Sequence, residues 1–196
     1  MTLAGKCIAS MPDKHKGITD IEFKSRQRYV DLFMDPESAE TFRRRSEIVR
    51  YTREFFAARD YLEVETPMMH VIPGGATARP FITHHNALDM ELYMRVAPEL
   101  YLKRLVVGGF ERVFEINRNF RNEGVSTKHN PEFTMLEFYE AYQTWHGLME
   151  LTEDLISGMA EAVTGSHDVA YGDLELSFAK PWRRLKMADA LSLIHI

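Results

Sequence analysis

Charged and aromatic residues recur at every second position along two neighbouring segments of the chain, residues 112–121 and 132–142. Successive side chains of a β-strand point to opposite faces, so residues two apart share a face. If both segments are strands, one sheet face carries a guanidinium, a phenyl ring, a carboxylate and a phenol, from Arg121, Phe133, Glu137 and Tyr139. Such a face is too polar for a protein core and too aromatic for an ordinary surface.

This combination of groups suits a pocket for a charged ligand. The guanidinium can anchor a phosphate or carboxylate, while the carboxylate and the phenol can accept hydrogen bonds from a cationic group. The flat ring can stack on a nucleotide base. The pattern alone leaves a second interpretation open, namely a solvated sheet face whose arginine and glutamate form a cross-strand ion pair.

The connection between the two segments defines how they pair. They are joined only by the polar stretch of residues 122–130. So short a connection requires antiparallel neighbours, and the loop must project from the sheet. We therefore expect an antiparallel pair of strands with a projecting polar loop.

Helices and shorter strands flank this predicted pair. Hydrophobic spacing and turn residues predict helices over residues 35–59, 99–107 and 145–164, and strands over residues 61–66 and 92–96. Asp35 is the predicted N-cap of the first helix. A turn at residues 171–174 joins two short strands, a further element begins at Trp182, and residues 1–34 are expected to be irregular. The predicted fold class is α+β with an antiparallel sheet.

The loop that contains Gly74 and Gly75 has two interpretations. Glycine lets another group approach the backbone closely, and it is equally common in simple turns. The sequence leaves both open.

Composition excludes several classes of protein. With 45% hydrophobic and 27% charged residues, the chain is expected to fold rather than to stay disordered. No apolar run is long enough to span a bilayer, the first residues lack a signal-peptide layout, and the single cysteine, Cys7, cannot form an internal disulfide. We therefore expect a cytoplasmic location without membrane contact. The net charge of −5 gives no indication of a nucleic-acid partner.

The predicted strand pair also resembles a known motif. The second signature motif of class II aminoacyl-tRNA synthetases is similar to the run that comprises Phe120, Arg121, Glu123, His129, Phe133 and Glu137. Residues 45–67 resemble the first, dimer-forming motif, with Asp60 where the family usually has glycine. Residues 95–104 and 121–139 are similar, nearly residue for residue, to the lysine-specific members. The resemblance covers about residues 8–190 and implies that family's antiparallel sheet flanked by helices.

The resemblance implies a role for each matching residue. ATP would be bound by Arg121, Asn122, Glu123, His129, Asn130 and Phe133. Lysine would be bound by Gly75, Glu99, Arg121, Glu137 and Tyr139. Phe133 would stack on adenine, Glu99 and the Gly75 backbone would receive the α-amino group, and the last two residues would face the ε-ammonium group. Arg121 is the implied catalytic residue, because it would neutralise the charge that builds as the lysine carboxylate attacks the α-phosphate.

The implied reaction is ATP-dependent activation of lysine to lysyl-adenylate, followed by transfer to tRNA(Lys). The implied assembly is a homodimer through residues 36–67, which Phe55→Glu or Phe56→Glu should disrupt. No nucleophilic side chain is expected, since such catalysis depends on positioning and charge stabilisation.

Some features of the family are not found in this sequence. A third, Gly-rich motif ending in arginine is absent, as are the later acidic residues that bind Mg²⁺. We therefore expect a fragment with a linker from an anticodon-binding domain, part of a catalytic domain and an atypical tail, over residues 1–34, 35–191 and 192–196. Metal ligands are expected outside this fragment, and the isolated fragment is predicted to be inactive.

Two other interpretations remain. A synthetase paralogue that attaches lysine to an elongation factor has a similar second motif, but residues 12–34 resemble a linker that this paralogue does not need. A non-catalytic module derived from a synthetase is the other alternative. Retention of Arg121, Glu123, His129 and Phe133 argues against it.

Overall fold

The chain divides into two compact units in a computed structural model, Met1–Arg50 and Tyr51–Ile196. Residues 5, 12 and 17–194 are described, with side chains as far as residue 191. Cys7 lies outside the described residues, as do residues 195 and 196 of the predicted tail. The same holds for most of the first 16 positions of the predicted linker.

The first unit is mostly helical from Ile21 onward, and residues 17–20 form no regular element. It contains α1 (Ile21–Arg26), α2 (Arg28–Met34) and the start of α3 (Pro36–Ala57). The prediction of an irregular segment is therefore wrong for residues 21–34. Two polar contacts explain the difference. The Asp20 carboxylate caps α1 by accepting the backbone N–H of Glu22 at 2.8 Å, and the buried Asp31 carboxylate receives the Arg28 guanidinium at 2.6 Å.

Asp35 begins α3 as predicted. Its carboxylate accepts hydrogen bonds from the backbone N–H groups of Glu37 and Ser38, at 3.0 Å and 3.4 Å. These are donors that the first turn of a helix leaves unpaired. The helix ends at Ala57, two residues before the expected end.

In its described residues, 51–194, the second unit contains three small sheets and three further helices. The first sheet has the order β1-β5-β6, from β1 (Leu62–Glu63), β5 (Arg112–Phe120) and β6 (Glu132–Glu140). The second has the order β2-β4-β3, from β2 (Met69–His70), β3 (Ile82–His85) and β4 (Met90–Met94). The third pairs β7 (Asp168–Tyr171) with β8 (Leu174–Ser177). The helices are α4 (Glu99–Val107), α5 (Trp145–Thr164) and α6 (Met187–Ile194).

Most predicted elements are present, and the α+β class is confirmed. The two longest strands pair antiparallel as expected, and α4 and α5 have the predicted bounds. The strand predicted over residues 61–66 is wrong beyond Glu63, because the Thr66 backbone N–H and hydroxyl both donate to the buried Glu115 carboxylate instead of joining a ladder. The strand predicted over residues 92–96 lies two residues earlier, and β2 and β3 were not predicted.

One face of the β5–β6 pair forms the hydrophobic core. α3 and α5 cover it through a cluster of buried residues: Phe55, Phe56, Tyr61, Phe114 and Leu155. The rings of Phe56 and Phe114 stack with centroids 4.8 Å apart. Glutamate at Phe55 or Phe56 would therefore break this core, so those substitutions cannot report on a dimer interface. The opposite face of the pair is left to carry polar groups.

Candidate functional site

The polar face of the β5–β6 pair carries the residues that the alternation of side chains in the sequence predicted to share a face. In the antiparallel register Glu115 lies opposite Glu137, and Asn119 lies opposite Phe133. Residues directly opposite each other share a face. Arg121 follows β5 on this same face, and its backbone N–H donates to the Pro131 carbonyl at 2.9 Å.

A cavity of about 260 Å³ lies at the loop end of this face. It is lined by Arg121, Glu123, Gly124, Lys128, His129, Asn130, Pro131 and Phe133. The Arg121 guanidinium carbon lies 5.1 Å from the centroid of the Phe133 ring. Its buried Nε has no hydrogen-bond partner within the described part of the chain. An unpaired buried donor beside an aromatic ring suits a ligand that combines an anion with a flat base.

The loop between the strands is held by hydrogen bonds to Arg79 and by hydrogen bonds within the loop. The Asn122 backbone N–H donates to the Arg79 carbonyl at 2.8 Å, and the Arg79 N–H donates to the Glu123 carboxylate at 3.3 Å. A hydrogen bond of 2.8 Å joins the Ser126 hydroxyl to His129 Nδ1. Of the predicted nucleotide residues, five line the cavity, and Asn122 does not.

Gly75 and Glu99 are brought together by the loop that precedes β3. A Cβ added at Gly75 would lie 3.1 Å from Glu99 Cβ and 3.2 Å from Ala97 Cβ. The Gly75 backbone has φ of 91°, a conformation that residues with a side chain rarely adopt. Close approach and backbone conformation both require glycine here. The sequence alone had left a simple turn equally open.

Glu137 and Tyr139 form a hydrogen-bonded pair on β6. The Tyr139 hydroxyl donates to Glu137 Oε1 at 2.7 Å. Burial raises the pKa of the Glu137 carboxyl above its ordinary value of 4.5, although this hydrogen bond opposes the shift. The nearby charges of Glu99 and Glu115 raise the pKa further. Burial also raises the pKa of the Tyr139 phenol, so this group stays neutral. A cation placed here would relieve the crowding of negative charge.

A buried ion pair behind the site was missed by the sequence analysis. Arg95 and Glu115 are each 1% exposed and lie 2.7 Å apart. Arg95 Nε also donates to the Arg118 carbonyl at 2.9 Å, and the Thr66 hydroxyl donates to Glu115 at 2.6 Å. This network joins β4, which leads to Glu99, to β5. Glu115 shares the face of Glu137 in the register of the two strands, but the sequence analysis had singled out neither Glu115 nor Arg95 for a role.

The arrangement can bind two charged groups side by side. Arg121 and Phe133 offer a guanidinium and a ring for an anionic nucleotide. Glu99, Glu137 and Tyr139 offer oxygen acceptors for a cationic ligand. Among the described residues, no group of three or more His, Cys, Asp or Glu side chains could hold a metal ion.

Comparisons with a family model and with individual proteins indicate the same family. A family model of class II tRNA synthetases (D, K and N) matches residues 20–195. Over 189 residues the chain is 62% identical to the lysine–tRNA ligase of Dichelobacter nodosus. It is 61% identical to that of Pseudomonas syringae pv. syringae and 59% identical to that of Carboxydothermus hydrogenoformans. Each alignment covers 96% of this chain but only 38% or 39% of the relative, so the chain spans well under half of each relative's length.

Proposed function

This chain belongs to the class II tRNA synthetases (D, K and N), and we propose that it is the part of a lysine–tRNA ligase that holds ATP and lysine. The observation that carries the proposal is one sheet face. Glu137 and Tyr139 lie on the same face of β6 as Phe133, which lines the cavity together with Arg121. The high identity to lysine–tRNA ligases supports lysine as the amino acid.

The nucleotide half of the site would hold ATP through ring stacking and charge. Phe133 would stack on the adenine, and the Arg121 guanidinium would meet the α-phosphate. Glu123, His129 and Asn130 would hold the rest of the nucleotide from the loop. The unpaired Nε of Arg121 supports this assignment, because a bound phosphate would satisfy it.

The lysine half would hold two ammonium groups. Glu99 and the Gly75 backbone would receive the α-amino group at the start of α4. Glu137 and Tyr139 would receive the ε-ammonium group, a compact cation that needs several acceptors when it is partly desolvated. The hydroxyl of Tyr139 is neutral and hydrogen-bonded to Glu137, so it can offer its oxygen lone pairs to the ligand.

The proposed reaction is an in-line displacement. An oxygen of the lysine carboxylate attacks the α-phosphorus of ATP, and the bond to the bridging oxygen breaks to release pyrophosphate. Arg121 would stabilise the charge on the phosphate oxygens during this step. The lysyl group would then pass from the adenylate to the terminal ribose of tRNA(Lys). Magnesium normally neutralises ATP phosphates through a few carboxylates, and we propose that its ligands lie outside this chain.

Lysine-dependent ATP–pyrophosphate exchange tests the proposal in the protein that carries this sequence. Exchange should require lysine and should not occur with aspartate or asparagine, because neither supplies a cation to Glu137. Charging of tRNA(Lys) should follow in the same preparation. Exchange supported by aspartate or asparagine would contradict the assignment. Lysine transfer to an elongation factor in place of tRNA would favour the paralogue.

We also propose a cytoplasmic homodimer through residues 36–67. Within the described residues, no helix is long and apolar enough to cross a membrane. Leu62, on the short strand β1, is 46% exposed and lies inside this segment. Leu62→Glu should therefore weaken the dimer without disturbing the core, as measured by sedimentation velocity. Val71→Glu is a matched control, since Val71 is exposed but lies outside the segment. A monomeric parent protein, or equal effects of the two variants, would contradict this interface.

A further inference from the structure

Lys103 places a cation of the chain itself beside the proposed lysine acceptors. It lies one helical turn after Glu99 on α4, and its Nζ is 2.6 Å from Glu99 Oε1. The same Nζ is 5.8 Å from the centroid of the Tyr139 ring. Lys103 therefore touches Glu99, the proposed acceptor of the α-amino group, on the side that faces the proposed ε-ammonium acceptors.

The surroundings of Arg95 and Lys103 indicate which of these two cations can leave the carboxylates near Glu137. Glu99 and Glu115 both raise the pKa of Glu137, while Arg95 lowers it, so these four groups act on one region. Arg95 is 1% exposed and donates to Glu115, Thr66 and the Arg118 carbonyl. Lys103 is 55% exposed and its partner Glu99 is 32% exposed. Arg95 is thus held in place by buried partners, whereas Lys103 is held only by its solvent-accessible ion pair with Glu99.

Charge balance favours an exchange when lysine arrives. The region has three carboxylates, Glu99, Glu115 and Glu137. With Lys103 in place and no ligand, two cations face them. Bound lysine would add two ammonium groups and one carboxylate, and the proposed function assigns that carboxylate to Arg121. The three carboxylates of the chain would then be matched by Arg95 and the two ammonium groups if Lys103 gives up Glu99. If Lys103 stayed, its ammonium group and the α-ammonium group of the ligand would compete for the same Glu99 oxygens. The two like charges would also repel each other.

We propose that Lys103 is an exchangeable counter-ion, paired with Glu99 while the site is free and displaced by the α-amino group of lysine. This inference rests on the proposed function, because it assigns Glu99 to that α-amino group. An exposed pair four residues apart on a helix is weak. The displacement therefore costs little, and Lys103 keeps the Glu99 carboxylate oriented until the ligand binds. Lys103 is in this sense a positioning residue.

Lysine binding by Lys103→Met in the complete protein tests the exchange. Methionine keeps the length of the side chain and removes its charge. Because the competitor is gone, lysine should bind about two- to fivefold tighter by isothermal titration calorimetry. The KM for lysine should fall by a similar factor in pyrophosphate exchange, without a matching rise in kcat.

A second ligand isolates the α-amino group. 6-Aminohexanoate keeps the carboxylate and the ε-ammonium group but lacks the α-amino group, so it leaves the pair of Lys103 and Glu99 intact. Its affinity should not improve in Lys103→Met. Arg104→Met is the matched control, because it removes one charge from the same helix while its side chain faces the Tyr101 ring. This control variant should not tighten lysine binding.

The contrary outcomes are distinct. Unchanged or weaker lysine binding in Lys103→Met would overturn the exchange, and weakening of both ligands would show that Lys103 binds the substrate carboxylate. Equal tightening of both ligands would show a general field effect and would also overturn it. If the parent protein binds no lysine, the proposed function itself fails, and this inference fails with it.

Discussion

Glutamine in place of Glu137 should raise the KM for lysine by about a hundredfold in ATP–pyrophosphate exchange. The ε-ammonium group would lose its charged acceptor in a partly buried site, which costs about 3 kcal/mol. Glutamine has the same shape and can still accept from the Tyr139 hydroxyl, so the strand should not be disturbed. The KM for ATP should change little, since the nucleotide cavity lies further along the hairpin.

Glu132→Gln is the matched control for this prediction. Glu132 is on the same strand but the opposite face, where it forms an exposed ion pair with Arg118 at 3.5 Å. It should leave the KM for lysine within about twofold. An unchanged KM for lysine in Glu137→Gln would show that Glu137 does not receive the ligand's ammonium group.

The pH dependence of lysine binding gives an independent check. Burial and the neighbouring carboxylates raise the pKa of Glu137 in the free protein, so this group takes up a proton above pH 4.5. Lysine requires the ionised form. Affinity should therefore fall as the pH drops through this raised pKa, and it should be constant from there to neutral pH, where both ammonium groups of lysine keep their protons. Glu137→Gln should lack this fall.

Replacement of Arg95 by methionine should lower the free energy of unfolding by about 3–5 kcal/mol. The substitution leaves the Glu115 carboxylate buried without its cation, and Glu115 lies directly opposite Glu137. It also removes the donors to the Arg118 carbonyl and to Thr66. Urea unfolding followed by far-UV circular dichroism measures the change.

Two further variants test whether the loss of stability comes from the buried, unpaired Glu115 carboxylate or from the removal of any arginine. Arg118→Met removes an arginine from β5, but its pair with Glu132 is half exposed, so the loss should stay below about 1 kcal/mol. The double variant Arg95→Met, Glu115→Leu removes both buried charges and should recover much of the stability. A loss under 1 kcal/mol in Arg95→Met would contradict a stabilising buried pair.

Local chemistry in the sequence was enough to predict several elements. The Thr144 hydroxyl caps α5, and Gly165 ends it with φ of 76°, so both ends are set by residues next to the helix. The same holds for Asp35 at the start of α3. Alternation placed Arg121, Phe133, Glu137 and Tyr139 on one face because the period of a strand does not depend on the rest of the fold.

Only the tertiary structure shows the contacts that complete the site. Thr66 and Glu115 are 49 positions apart, and their hydrogen bonds shorten β1 and orient the Glu115 carboxylate, which lies opposite Glu137. The approach of Gly75 to Glu99 and the burial of Arg95 likewise depend on how separate elements pack. Caps and alternation act between neighbouring residues, so they can be read along the chain. Pairing of buried charges depends on which distant groups lose water together, and this is decided when the sheets and α4 come into contact.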